Sequence, residues 1–379
     1  MNRTTLFVFF ILCAVVLCSS ADAKVTGPCV NCHTMHGSQN GSSGGIAFGG
    51  SSLPQPALLR GDCIGCHGQG TSNKIVSIGG SDIPQVLHTD PSGDLAGGNF
   101  AFITGAKSRV TADKNSAGHN VIDLGSAYQE TTLAVPPGHH GVSITNTNFT
   151  CAGNHGCHGI RDMNGSSGLR GLKGSHHQNV DGKCETNVNQ VYGSYRFLWY
   201  VKGFENTGTY KWQNKDADNH NEYFGATTPM LFQCTNCHHS SDGFGVNLIW
   251  PANNTISGFC ATCHENFHVL SAGAPPGWGI GGSTSPFIRH PTDVILPASG
   301  EYTAYTTYIV EAPVARTTVQ SSMRNDVVPG TDVVMCLSCH SAHATPYADL
   351  LRWDYSTMVA GGGGSGGCFT CHTQKSKPP

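Results

Sequence analysis

Cys336-Leu337-Ser338-Cys339-His340-Ser341-Ala342-His343 places two thiols three positions apart, an imidazole directly behind the second, and another imidazole three residues on. The same Cys-x-x-Cys-His unit recurs five times. Its copies are Cys29, Cys32 and His33; Cys63, Cys66 and His67; Cys234, Cys237 and His238; Cys260, Cys263 and His264; and Cys368, Cys371 and His372. This is the attachment signature of c-type haem. Thiols at that spacing reach the two vinyl groups of one porphyrin as thioethers, and the adjacent His lies under the iron as its proximal ligand. Zinc ribbons and disulfides also use paired cysteines. Neither explains a His behind the second Cys in all six units.

A seventh site is irregular. Cys151-Ala-Gly-Asn-His-Gly-Cys157-His158 has five residues between its cysteines. Such a loop still reaches both vinyl groups if it bulges outward, and Gly153 and Gly156 ease the bulge. The alternative is a disulfide among Cys151, Cys157 and Cys184. Seven haem c groups are therefore expected, six if the motif of Cys151 and Cys157 is not used.

Each iron needs a second axial ligand or an open side. Of 20 His, seven follow the motifs and thirteen remain. Beyond residue 23 only Met35, Met163, Met230, Met323, Met335 and Met358 are available, too few for seven irons. Bis-His ligation is the expectation, with potentials below those of Met/His sites. His36 and His343 lie three residues behind a motif His, and His268 four behind. Each points away from its own haem and suits a neighbouring one. His88, His119 and His290 lie in the stretches between motifs, and the pair His176 and His177 should supply one more ligand. His139, His140, His155, His220 and His239 are then spare, read as surface or hydrogen-bonding histidines.

Bulk composition fits this reading. Hydrophobic residues make up 38% of 379 residues and Gly reaches 49, which is thin material for an ordinary core. Porphyrin faces would supply the missing apolar mass. The formal net charge is -3, so no basic surplus points to nucleic acid. Arg3, the apolar run Leu6 to Cys18 and Ala21-Asp22-Ala23 read as a signal peptide over 1–23, cleaved after Ala23. The run is short for a membrane span, and Leu17 before Cys18 argues against a lipoprotein. The mature chain should have no transmembrane segment and should be exported, to the periplasm or the cell surface and extracellular space.

Residues 24–379 read as a single unit. The fold class expected is a mostly irregular multihaem cytochrome c fold, with few short helices and short strands, wrapped around a chain of stacked haems. Helices should be short and tied to the Cys-His motifs. Residues 68 to 150 read as loops with short strands. Tyr192 to Tyr200 and Tyr302 to Val310 read as strands, and Gly361 to Gly367 as a flexible tether.

Several stretches resemble the extracellular cytochrome filaments of metal-reducing bacteria, the hexahaem outer-surface cytochrome S type. They are Cys-Val-Asn-Cys-His-Thr-Met-His-Gly-Ser at 29–38, Gly-His-Asn at 118–120, Phe-Cys-Ala-Thr-Cys-His at 259–264, Arg-His-Pro at 289–291, Cys-Leu-Ser-Cys-His-Ser-Ala-His-Ala at 336–344 and the terminal Cys-Phe-Thr-Cys-His-Thr. The resemblance implies assembly into a filament, with His36 reaching a haem of the next subunit. Seven motifs rather than six, one of them lengthened, is a departure from that pattern.

Electron transfer is the function expected. The partners would be other redox cytochromes and terminal electron acceptors such as metal oxides. The rival reading is a multihaem reductase with one open haem site. A Cys-x-x-Cys-Lys motif often marks such a site in nitrite reductases, and this sequence has none. A scaffold stabilised by haem would not need seven of them.

Overall fold

The computed structural model describes residues 27–33, 58–59, 61–138, 144–159, 161, 168, 198, 201–206, 208–227, 254–267, 290–319 and 322–378. Short elements dominate. Among the described residues the α-helices are α1 (Cys63–His67), α2 (Ala101–Thr104) and α3 (Ile256–Ala261). Two-stranded antiparallel ribbons among the described residues pair β1 (Ile75–Ile78) with β2 (Ser81–Pro84), β3 (Gly203–Phe204) with β4 (Glu222–Tyr223), and β5 (Val294–Ile295) with β6 (Val333–Val334). This is a mostly irregular fold of few short helices and short strands.

Several of the helical turns sit on the motifs, whereas α2 and the 3-10 turns at Ile122–Leu124, Ser126–Tyr128, Gly300–Ala304, Ala348–Leu350 and Tyr355–Thr357 do not. α1 is itself the sequence CIGCH, and 3-10 turns open at Cys29–Asn31, Cys336–Ser338 and Gly367–Thr370. α3 carries Cys260. The Thr255 hydroxyl accepts the Gly258 N–H at 2.9 Å as its N-cap and donates to Asp293 Oδ2 at 2.9 Å, tying the helix start to the residues before β5.

No single large core forms among the described residues. Three small clusters do, and each reaches a motif cysteine. Val201, Tyr223, Phe259 and Met335 pack near Cys157, and Ile64, Phe100, Ile103 and Val121 pack near Cys151. Leu296, Tyr305, Tyr308 and Val327 pack near Cys371.

Two expectations need correction. Tyr302 to Val310 is not a strand: Gly300–Ala304 is a 3-10 helix, and only Thr307 makes an isolated bridge, to Asp326. Tyr302, Tyr305 and Tyr308 recur every third residue and join one cluster, a period of three that suits a 3-10 turn. Gly361 to Gly367 is not a loose tether either. The Gly361 and Gly363 N–H groups donate to the Lys375 and Ser376 carbonyls at 2.8 and 2.6 Å, and Gly367 is buried in the last motif's turn. Tyr192 to Tyr200 lies outside the described residues except Leu198, which bridges to Gly159.

Candidate haem sites

The ordinary motifs share one backbone geometry. The His N–H donates to the first Cys carbonyl: His33 to Cys29 at 2.8 Å, His264 to Cys260 at 3.0 Å, His340 to Cys336 at 3.1 Å and His372 to Cys368 at 3.0 Å. The second cysteine closes the same turn. The N–H of Cys32 donates to the Cys29 carbonyl at 3.1 Å, as Cys263 does to Cys260 at 3.1 Å and Cys339 to Cys336 at 3.2 Å. In α1 the carbonyl of Cys66 accepts the Gln85 side-chain N–H at 3.0 Å, which ties the motif to the end of β2. Cys32 and Cys66 are half-buried in their motifs, and no disulfide joins any described cysteine.

The long motif reproduces this geometry. His158 N–H donates to the Cys151 carbonyl at 2.9 Å, and Cys157 N–H to the same oxygen at 3.1 Å. The three extra residues fold back on themselves through Gly156 N–H to Gly153 O at 3.0 Å and Gly153 N–H to His158 O at 2.9 Å. Gly156 is required by space, because a Cβ there would stand 2.4 Å from the Ala152 nitrogen. Cys151 and Cys157 form no disulfide with each other or with another described cysteine.

Three motif histidines stand opposite a second imidazole. Ring centres are 6.1 Å apart for His158 and His343, 6.2 Å for His264 and His119, and 6.1 Å for His372 and His290. An imidazole nitrogen binds a transition metal at about 2 Å and the ring centre lies about 1 Å beyond, so two imidazoles sharing one ion are about 6 Å apart. The three pairs fit a shared iron. In His264, His119, His372 and His290 the other ring nitrogen is engaged as a metal ligand's should be, and the same holds for His67 and His340. Nδ1 meets the Pro137 carbonyl at 2.7 Å in His264, Ala342 at 2.6 Å in His119, Pro84 at 2.8 Å in His67, Asp349 at 2.7 Å in His340 and Pro291 at 2.9 Å in His290. His372 Nδ1 meets the Glu301 carboxylate at 3.2 Å. Nε2 is thereby directed to the metal side. Burial lowers the pKa of His67, His119 and His290 against these backbone bonds, which keeps the rings neutral.

The sulfurs form a chain of junctions. Cys63 meets Cys151, and the two ligand atoms lie within 4.8 Å. Cys157 lies close to Cys263, Cys260 to Cys336, and Cys339 to Cys371. First cysteines meet first, and second cysteines meet second, in alternation. Burial pushes the Cys157, Cys339 and Cys371 thiols up to about 12. That suits sulfurs destined for neutral thioethers better than zinc thiolates.

His88 is not brought to any motif histidine among the described residues. It is buried, its Nδ1 accepts the Asp90 N–H at 3.2 Å, and its Nε2 lies 3.3 Å from the Asn99 side-chain nitrogen and 3.7 Å from Asp94. His220 is held by Glu222 at 3.1 Å and stacks on Tyr308 at 3.7 Å, as a hydrogen-bonding histidine would. The fourth motif, expected to attach haem through Cys234 and Cys237 with His238 as ligand, lies outside the described residues. So do His36, His139, His140, His176, His177, His239, His268 and Cys184. The oxygens of Pro84, Pro137, Ala342, Asp349 and Glu301 that orient the rings carry no local sequence signal, because most lie far along the chain from the His they hold.

Motif geometry and paired imidazoles together define a class, the multihaem c-type cytochromes. The family described as "Doubled CXXCH motif" matches residues 329–377. C-type cytochrome OmcS of Geobacter sulfurreducens is 25% identical over 89% of this chain and 82% of its own length. This chain is thus similar to a multihaem c-type cytochrome of OmcS type. Two solved structures also match, "Cryo-EM of the OmcS nanowires from Geobacter sulfurreducens" at 19% identity, 87% and 84% coverage of the two chains and a TM-score of 0.44, and "Outer Membrane Cytochrome S Filament from Geobacter Sulfurreducens" at 20% identity, 88% and 85% coverage and 0.43. No helix among the described residues is long and apolar enough to cross a membrane.

Proposed function

We propose that residues 24–379 form one electron-carrying unit with seven covalently attached, bis-His-ligated haems. The alternating sulfur junctions carry this reading. They link the motifs at 63–67, 151–158, 260–264, 336–340 and 368–372 pairwise from one to the next, which supports a relay over a single reaction centre. Bound haem supplies an iron that cycles between the ferrous and ferric states.

The chain's own residues do the rest. Cys29 with Cys32, Cys63 with Cys66, Cys234 with Cys237, Cys260 with Cys263, Cys336 with Cys339 and Cys368 with Cys371 are the ordinary attachment pairs, and Cys151 with Cys157 holds the long site. His33, His67, His158, His238, His264, His340 and His372 are the proximal ligands. His343, His119 and His290 close the sites of His158, His264 and His372. His36, His268 and the pair His176 and His177 are candidates for the remaining sites, whereas His88 is committed to Asp90 and Asn99. Closed sites hold no substrate, which supports a carrier over a reductase.

Similarity to OmcS supports export to the cell surface, transfer to an external acceptor such as a metal oxide, and self-assembly into a filament. The test is the intact mass of the mature protein under reducing, denaturing conditions. Seven haems on a chain beginning at Lys24 is the expected result. Six would return Cys151 and Cys157 to thiol chemistry, and a haem-free mass would overturn the reading.

A further inference from the structure

The long motif lies between two buried charges of opposite sign. On the Cys151 side, Asp123 Oδ2 accepts the Cys151 N–H at 3.0 Å, and the carboxylate groups with the Cys63 and Cys151 sulfurs, all within 4.8 Å. Asp123 is 5% exposed, and its Oδ1 has no hydrogen-bond partner among the described residues. Asp62 adds a second carboxylate, 3.6 Å from Cys63 Sγ.

On the Cys157 side stands Arg161, 1% exposed. Its Nη1 donates to Thr262 Oγ1 at 2.6 Å and its guanidinium lies 4.4 Å from the Phe259 ring centre. Nε and Nη2 have no hydrogen-bond partner among the described residues. Phe259 and Thr262 flank Cys260 and Cys263, so the cation sits at the junction of Cys157 and Cys263. Glu265 also approaches Cys263, but Arg161 has the larger influence there.

A buried charge without a full set of partners is expensive. Two such charges, each at a sulfur junction, need a reason beyond packing. Iron gains an electron on reduction, so a nearby anion favours the ferric state and a nearby cation the ferrous state. A low local dielectric strengthens both effects.

We propose that Asp123 and Arg161 grade the reduction potentials across the long motif. Asp123 lowers the potential of the haem at 63–67, which it adjoins at Cys63, and Arg161 raises that of the haem at 260–264, which it adjoins at Thr262 and Phe259, with the long-motif haem between them. Electrons then run downhill from the motif at 63–67 toward the motif at 260–264. The proposal rests on Cys151, Cys157 and His158 forming a haem site.

Spectroelectrochemical titration of the full-length mature holoprotein tests it, with haems counted by intact mass in the same samples. Asp123→Asn keeps an acceptor for the Cys151 N–H and should move the low-potential part of the curve upward. Asp62→Asn should move it the same way by less. Arg161→Gln should move the high-potential part downward, whereas Arg161→Lys keeps the charge and should overlie the parent. Seven haems with unmoved or oppositely moved curves overturns the gradient alone. A Lys variant displaced as far as the Gln variant assigns the effect to packing and overturns the cationic arm. Should Asp123→Asn fail to mature, Asp62→Asn still decides the anionic arm; should Arg161→Gln fail, Arg161→Met replaces it as the charge-removing variant against which Arg161→Lys is read. A parent mass of six haems overturns the long motif's haem reading and the gradient with it.

Discussion

His343 faces His158 across 6.1 Å and stacks on Phe100 at 4.9 Å, while its own backbone carbonyl accepts the His119 N–H at 2.9 Å. One short segment therefore places two second imidazoles, because Ala342 also receives His119 Nδ1. The close fit depends on Gly97, where a Cβ would stand 2.9 Å from His343 Nδ1.

His343→Ala should open the long-motif site alone, since the backbone bonds to His119 remain. A carbon monoxide difference spectrum of the reduced protein should then show one haem's worth of binding that the parent lacks. An unchanged spectrum would remove His343 as the partner of His158.

Cys157 is the thiol that distinguishes haem attachment from a disulfide cluster. Cys157→Ser should weaken or abolish retention at the long site, lowering the denatured mass by one haem in the molecules affected. Cys184→Ser should leave the haem count intact. The opposite pattern, with loss on changing Cys184, would point to the disulfide reading.

The attachment chemistry is legible in the sequence because thioether formation fixes a local spacing, and short helical turns follow because each motif closes its own backbone ring. Partnership is less legible. The spacing behind His340 directs His343 to a neighbour rather than to its own motif, and it stands beside His158. That His119 meets His264 depends on the bridge between Gly118 and Ala344, which no local pattern announces. His88 looks as available as His290, yet Asn99 and Asp90 engage it. The tyrosines at 302, 305 and 308 suggest a strand by composition, while their three-residue spacing carries the better signal.

Over the Tyr308 ring, Arg316 anchors a buried ion network. Its Nε donates to Glu222 Oε2 at 2.9 Å, its Nη1 donates to Asp332, and Nη2 reaches the Arg324 and Asp326 carbonyls. Arg316→Met leaves Glu222 and Asp332 buried without their central cation, with the Arg324 guanidinium at 3.8 Å from Asp332 as the remaining one. Breaking such a pair typically costs about 3–5 kcal/mol. Denaturant unfolding followed by tyrosine and tryptophan fluorescence should show that loss, with haem content unchanged. A loss under about 1 kcal/mol would place the network among the energetically neutral surface pairs.

Asp90 gives the fold a defined acid sensitivity. Burial pushes its carboxyl pKa up, but the Ser92 hydroxyl at 2.6 Å, the Ser92 N–H at 2.8 Å and the Lys74 N–H and charge outweigh it and hold the pKa at about 2. A free Asp titrates near ~3.9. The folded value is the lower one, so the stabilisation is complete above the unfolded pKa and disappears as pH falls from ~4 toward 2. Its size is at most about 2 kcal/mol, since the carboxylate keeps some contact with water. Asp90→Asn should be less stable than the parent at pH 6 and equal to it near pH 2, read as converging denaturation midpoints. A constant difference across that range would assign the loss to geometry rather than charge, and would separate Asp90 from the acid response of the loop that carries His88.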